Sequence, residues 1–130
     1  MNSPVSSSPS AVRTLTAGQL SGFRDTLERE LLEAHALEAR LRAEIVASLE
    51  SRRSTTTDEA EDPEGSSLAF EGAQTTSMLQ QTTRHAAEMT AALGRIDDGS
   101  FGTCSSCSRP IATGRLEARP SAELCISCAS

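Results

Sequence analysis

The sequence predicts a mainly α-helical chain, a long antiparallel helical hairpin or coiled coil with a small four-cysteine module at its C-terminal end. Three observations carry this. Apolar residues recur at steps of three or four along two long stretches. An acidic run containing Pro63 and Gly65 separates them. All four cysteines of the 130 residues fall in two C-x-x-C pairs close to the C-terminus. There is no Trp or Tyr and there are only three Phe, so a wide aromatic core is excluded. An elongated helical body, or a small core braced by metal, suits such a composition.

The first stretch, "MNSPVSSSPSAVRT", is rich in Ser and Pro and is expected to form a disordered tail over residues 1–14. It lacks the basic start and apolar run of a secretory signal. No segment is apolar for long enough to cross a bilayer, so no membrane role and a cytoplasmic location are expected.

Residues 15–98 are expected to form the hairpin. From about Thr16 to Arg52, Leu20, Phe23, Leu27, Leu31, Ala34, Leu37, Leu41, Ile45 and Leu49 fall on one stripe. The pairs Asp25/Arg29, Arg29/Glu33, Glu38/Arg42 and Arg40/Glu44 stand at i,i+4 on the other face. A helix of that length spans about 55 Å and needs a partner. The tip loop is expected at about 53–67, with Asp58, Glu59, Glu61, Asp62 and Glu64 as an acidic cluster. A second helix, from about Leu68 to Ile96, carries the seam Leu79, Thr82, Ala86, Met89, Leu93 and Ile96. Gly99 is placed to cap its end. Met78 and Met89 are read as packing residues. His35 and His85 are read as surface or seam residues, not ligands.

Residues 99–130 form the cysteine module. Cys104, Cys107, Cys125 and Cys128 give C-x2-C-x17-C-x2-C, a spacing that points to one structural Zn2+. Each two-residue gap wraps a turn of chain round the ion and presents two thiolates. Four sulfurs close the tetrahedral shell and leave no position for a catalytic water. Two disulfides are disfavoured in a reducing compartment, and a redox C-x-x-C calls for a βαβ context that is absent. Oxidation of the zinc thiolates stays open as an added role. Arg109, Arg115 and Arg119 lie between the pairs, where they either offset thiolate charge or stand at the surface. The apolar residues between the pairs, chiefly Ile111, Leu116 and Leu124, are too few to fold without metal.

The run from Ala92 to Cys128, "ALGRIDDGSFGTCSSCSRPIATGRLEARPSAELCISC", resembles the C4-type zinc finger of the DksA/TraR family, as in a short actinobacterial-like member. The resemblance covers the finger closely and the hairpin by pattern alone. It implies a zinc-binding transcription regulator that acts on bacterial RNA polymerase through its secondary channel. The hairpin enters the channel, acidic tip residues reach toward the active centre, and the finger braces the base. Two departures stand out. The family's D-x-x-D-x-A tip is replaced here by Asp58-x-x-Glu61 followed by Asp62 and Pro63. Ser108 follows Cys107 where glycine is common.

The net charge is −6, and every basic residue apart from the two histidines is Arg. Such a chain is a poor general ligand for nucleic-acid backbone, so direct sequence-specific DNA binding is not expected. No nucleophile–base pattern suggests an enzyme. The alternatives are a structural or adaptor coiled-coil zinc protein, as monomer or homodimer, and a zinc- or redox-responsive regulator.

Overall fold

The computed structural model describes residues 15–55 and 63–129, so the expected tail at 1–14 lies outside the described residues. Four helices follow in order: α1 (Ala17–Thr55), α2 (Pro63–Asp98), α3 (Thr113–Ala118) and α4 (Ile126–Ala129). The extended pairing among the described residues is one isolated antiparallel bridge, between Thr103 and Pro110. No helix of the described residues is long and apolar enough to cross a membrane.

Helix α1 opens on a reciprocal cap. The Gln19 N–H donates to Thr16 Oγ1 at 3.0 Å, and the Thr16 N–H donates to Gln19 Oε1 at 2.8 Å. Two otherwise orphaned donors are thereby satisfied. At the other end Arg52 and Arg53 occupy the last turn, where cationic side chains favour the helix dipole. The helix accordingly runs on to Thr55, and α2 begins at Pro63. The segment between the helices is thus shorter than the loop expected at about 53–67. Proline reads as a breaker in the sequence, but at the first helical position its missing N–H is no loss and its φ is already helical. Asp58, Glu59, Glu61 and Asp62 lie outside the described residues, while the backbone of Glu64 belongs to the first turn of α2.

The chain divides into two compact units, one of residues up to Leu31 with Ala87–Ser130, the other Leu32–Ala86. In the second unit the helices run antiparallel. Thr83 Oγ1 donates to Glu38 Oε2 at 2.8 Å, and a Cβ on Gly72 would lie 3.7 Å from the guanidinium of Arg52. The core here is thin: Ala34, Leu41 and Ala86 are buried, with Leu37, Ile45, Leu79 and Thr82 half-buried. Leu49, at the end of the expected stripe, is half exposed. Met78 is 49% exposed because it stands one position, about 100° of helix, off the seam residue Leu79.

Glu38 departs most from expectation. Its spacing to Arg42 suggests the polar face, yet it is 7% exposed and points into the hairpin. Its carboxylate meets Thr83 and, at 3.0 Å, Nδ1 of His35. A buried carboxylate so bonded avoids the cost of an unpaired charge. None of the four i,i+4 pairs named from the sequence closes to an ion pair.

In the first unit α1 and α2 continue antiparallel, with Arg24 bonded to Asp97 at 2.7 Å. Phe23, Leu27, Met89, Ala92 and Phe101 are buried. The Phe23 and Phe101 rings meet at 5.4 Å between centroids, tilted by 46°. That geometry is favourable for the ring quadrupoles. Ala92 is fully buried although it lies off the predicted seam; a methyl there lets the neighbouring elements approach closely.

The hydrogen bonds from His35 and Thr83 hold Glu38 below the usual carboxylate range. A lowered folded-state pKa stabilises the fold above the unfolded value and loses that contribution as pH falls through the folded one. Thermal melts taken from neutral pH into the acid range are expected to show Glu38→Gln less stable near neutrality and less sensitive to acid.

Candidate metal centre

The centre begins where α2 stops. Gly99 takes φ +87°, and the Ser100 N–H donates to the carbonyl of Arg95 at 2.9 Å, the signature of a left-handed helix terminus. Asp98 Oδ1 accepts from the Ser100 N–H at 2.9 Å and from its hydroxyl at 2.6 Å, which lowers the Asp98 carboxyl. The chain then turns through Phe101 and Gly102. Gly102 has φ +88°, and a Cβ there would come within 3.2 Å of Leu15 Cδ1. Its carbonyl accepts from the Ile111 N–H at 2.7 Å and closes the first knuckle.

Cys104 and Cys107 sit on that knuckle. The Cys104 N–H donates to the Arg109 carbonyl at 2.8 Å, and the Ser108 N–H donates to the Cys104 carbonyl at 2.9 Å. Ser108 holds φ +66°, the left-handed region where a side chain costs roughly 1 kcal/mol. A serine thus stands in a backbone conformation that glycine adopts without that cost. Cys125 precedes α4 and Cys128 lies within it, so one helical turn presents the second pair. The Ser105 N–H donates to the Glu123 carbonyl at 2.9 Å and joins the two knuckles.

The four Sγ atoms lie within 4.8 Å of one another, with Cys107 and Cys125 at 3.8 Å. Sulfurs tetrahedrally placed about 2.3 Å from a zinc ion would stand about 3.8 Å apart, so the cluster has the dimensions of a zinc shell. No disulfide joins these cysteines. Cys104 is buried, Cys107 exposed, and Cys125 and Cys128 intermediate.

The electrostatics of the cluster call for a cation. Backbone N–H groups of Cys107 and then Cys125 bring the Cys104 thiol down to about 6. Cys128 is pushed the other way, to about 12. The Ser106 hydroxyl draws it down, but the sulfurs of Cys125, Cys104 and Cys107 outweigh that pull. Sulfurs this close cannot all carry charge unless a positive ion stands among them.

The intervening arginines serve the scaffold. Arg115 Nε donates to the Leu124 carbonyl at 2.8 Å, next to Cys125, and Arg119 meets Glu88 at 3.4 Å. Arg109 contributes its backbone carbonyl to the knuckle. Ile111 and Leu116 are buried, joined by Ala122, and Leu124 is half-buried. Sequence reasoning missed Arg95. In the last turn of α2, it reaches the carbonyls of Ser121 and Ala122 at 3.4 and 3.5 Å and Glu123 at 3.6 Å. It also missed Phe101, the partner of Phe23. Both lie inside the run quoted above, but only their contacts reveal what they do.

Comparison with known proteins agrees with this geometry. The profile of the prokaryotic dksA/traR C4-type zinc finger matches residues 99–130. The chain carries the C4-type zinc finger of the DksA/TraR family. The finger's sequence relatives include the RNA polymerase-binding transcription factor DksA of Escherichia coli, 53% identical over 36 residues. The DksA of Buchnera aphidicola is 56% identical over 36 residues, and that of Haemophilus influenzae 50% over 38. The matched segment is 28% of this chain and 24% of the E. coli protein, so the sequence likeness is confined to the finger. Structural likeness reaches further. The transcription factor DksA2 from Pseudomonas aeruginosa superposes with a TM-score of 0.61 at 26% identity. That match covers 87% of this chain and 81% of DksA2. The hairpin is thus shared with a DksA protein as well as the finger.

Three outcomes test the finger. Metal analysis is expected to find one zinc per chain. Chelation should then abolish the near-UV and NMR signature of residues 99–129 while much of the far-UV helicity persists. Replacing Arg95 by Met should destabilise the fold by about 1.5–3 kcal/mol, the loss of charge-assisted bonds to carbonyls, and so lower the melting midpoint at unchanged zinc content.

Proposed function

We propose that this protein is a zinc-binding transcription regulator that acts by contacting RNA polymerase, through its secondary channel, and not by reading DNA. The observation that carries this reading is the joint likeness. The finger matches proteins named as RNA polymerase-binding transcription factors, and the hairpin and finger together superpose on DksA2. Cys104, Cys107, Cys125 and Cys128 are the four zinc ligands on this reading, and the metal is structural, because a shell of four sulfurs leaves no open position.

The physical chemistry of the chain supports a protein partner. Its net charge of −6 disfavours the phosphate backbone. The sequence between α1 and α2 contains Asp58, Glu59, Glu61 and Asp62, and Glu64 follows just inside α2. Carboxylates in such a cluster suit a basic protein surface or a site holding Mg2+. These five residues are the proposed contact at the tip. Cytoplasmic residence and the lack of enzymatic chemistry belong to the same reading.

Binding of the zinc-loaded protein to core RNA polymerase from its own source, with and without a secondary-channel competitor, tests the proposal. Competed binding is expected. The Asp58→Ala/Asp62→Ala variant is expected to bind within a few-fold of the parent and to lose its effect on promoter-complex lifetime. Absence of binding at micromolar concentration would overturn the polymerase reading in favour of an adaptor role.

A further inference from the structure

In the Leu32–Ala86 unit the hairpin core uses one side of α1. On the opposite side lies a second regular stripe. Leu32, Ala36, Ala39, Ala43 and Val46 alternate steps of four and three, and all five are exposed. At 3.6 residues per turn they stand on the far side of the helix from Ala34 and Leu41, which are buried. The two large members, Leu32 and Val46, are 71% and 53% exposed. The spacing is that of a coiled-coil seam, with Glu33 and Arg40 on one flank and Glu28, His35 and Arg42 on the other.

These flanks discriminate among partners. Were a second copy to lie parallel and in register, Glu28 would face Glu33 and no Glu–Arg pair would form across the seam. Antiparallel, with Ala36 opposite the second copy's Ala39, the layers become Leu32 on Ala43 and Ala36 on Ala39, each made twice by symmetry. Glu33 then faces the second copy's Arg40, also twice, while His35 faces Arg42 on the other flank and Val46 lies over the stem of Arg29. Shifting this antiparallel register by one heptad sets Arg40 against Arg40 in one direction and Glu33 against Glu33 in the other. Neither Glu33 nor Arg40 has an ion-pair partner among the described residues.

We propose that this face of α1 pairs with the same face of a second copy, antiparallel, with reciprocal Glu33–Arg40 contacts selecting the register. The three central alanines let the two backbones approach closely, and Leu32 packs over the second copy's Ala43 at each end. The seam is five residues of one helix, fewer than a standard interface uses, so the dimer is of the transient class, with dissociation roughly in the micromolar to millimolar range. Because both selecting contacts are exposed charges, added salt weakens it. The pairing is independent of the polymerase reading, and its seam uses residues of α1 alone.

Sedimentation equilibrium of the zinc-loaded full chain, up to millimolar protein and at low and high salt, tests this. A salt-sensitive monomer–dimer equilibrium is expected. Ala39→Glu is expected to weaken it at least tenfold with far-UV helicity unchanged, since the site is exposed. Glu33→Arg and Arg40→Glu should each weaken it similarly. The double variant Glu33→Arg/Arg40→Glu should return the affinity to within a few-fold of the parent, because the charges again oppose. A monomer at every concentration overturns the proposal, as does a dimer indifferent to Ala39→Glu. Single reversals that weaken pairing without rescue by the double variant overturn the register, and the proposal with it. A chain that stays monomeric but docks a helix of another protein on this stripe counts against the second copy as occupant.

Discussion

Four sulfurs held within 4.8 Å of one another are the constraint on which the C-terminal quarter of this molecule depends. Uncharged, they are poor ligands; charged, they repel. Only a cation at their centre reconciles proximity with ionisation. Much of the surrounding backbone can be understood as the means of bringing two C-x-x-C turns to one point. The left-handed Gly99 stops α2, Gly102 reverses the chain, Ser108 completes the first knuckle, and the start of α4 forms the second. The bond from Ser105 to Glu123 then fixes the two turns to each other.

Such an arrangement suits a chain so poor in aromatics. Two of its three phenylalanines meet at the base of the hairpin, where Phe23 of α1 touches Phe101 of the finger. Beyond that point the pairing in the Leu32–Ala86 unit relies on alanine, threonine and a few leucines, with one buried carboxylate among them. Apolar density is concentrated beside the metal module and thins along the helices. The family's zinc finger therefore stands where the hairpin is also best packed.

Much of this was legible in the sequence. The three-and-four spacing gives two helices whose stripes need one another, and the cysteine spacing points to a closed metal shell. Phe23, Leu27, Leu41, Ala86 and Met89 are buried as their period predicts. What escaped is what depends on the partner helix. Glu38 has the spacing of a surface ion pair, and only the opposing Thr83, with His35 beside it, makes its burial tolerable. Ala92 carries too little hydrophobicity to mark a seam. Arg95 looks like any arginine near a helix end until the carbonyls of Ser121 and Ala122 come within reach. Pro63 misled because the same residue ends a helix from inside and begins one from its first position.

The Phe23–Phe101 contact has a further meaning for how the chain folds. The two rings are separated by nearly the whole hairpin, so their meeting closes a very long loop. Loop entropy grows only slowly with length, so a closure of this span costs little more than a shorter one. Because Phe23 belongs to α1 and Phe101 to the finger, pairing of the helices and ordering of the finger are coupled across this contact. Through it, free zinc becomes a thermodynamic variable for the hairpin base: above saturation, each tenfold rise in metal deepens the native well by about 1.4 kcal/mol. The base of the hairpin is thus held in part by the chemical potential of zinc in its surroundings.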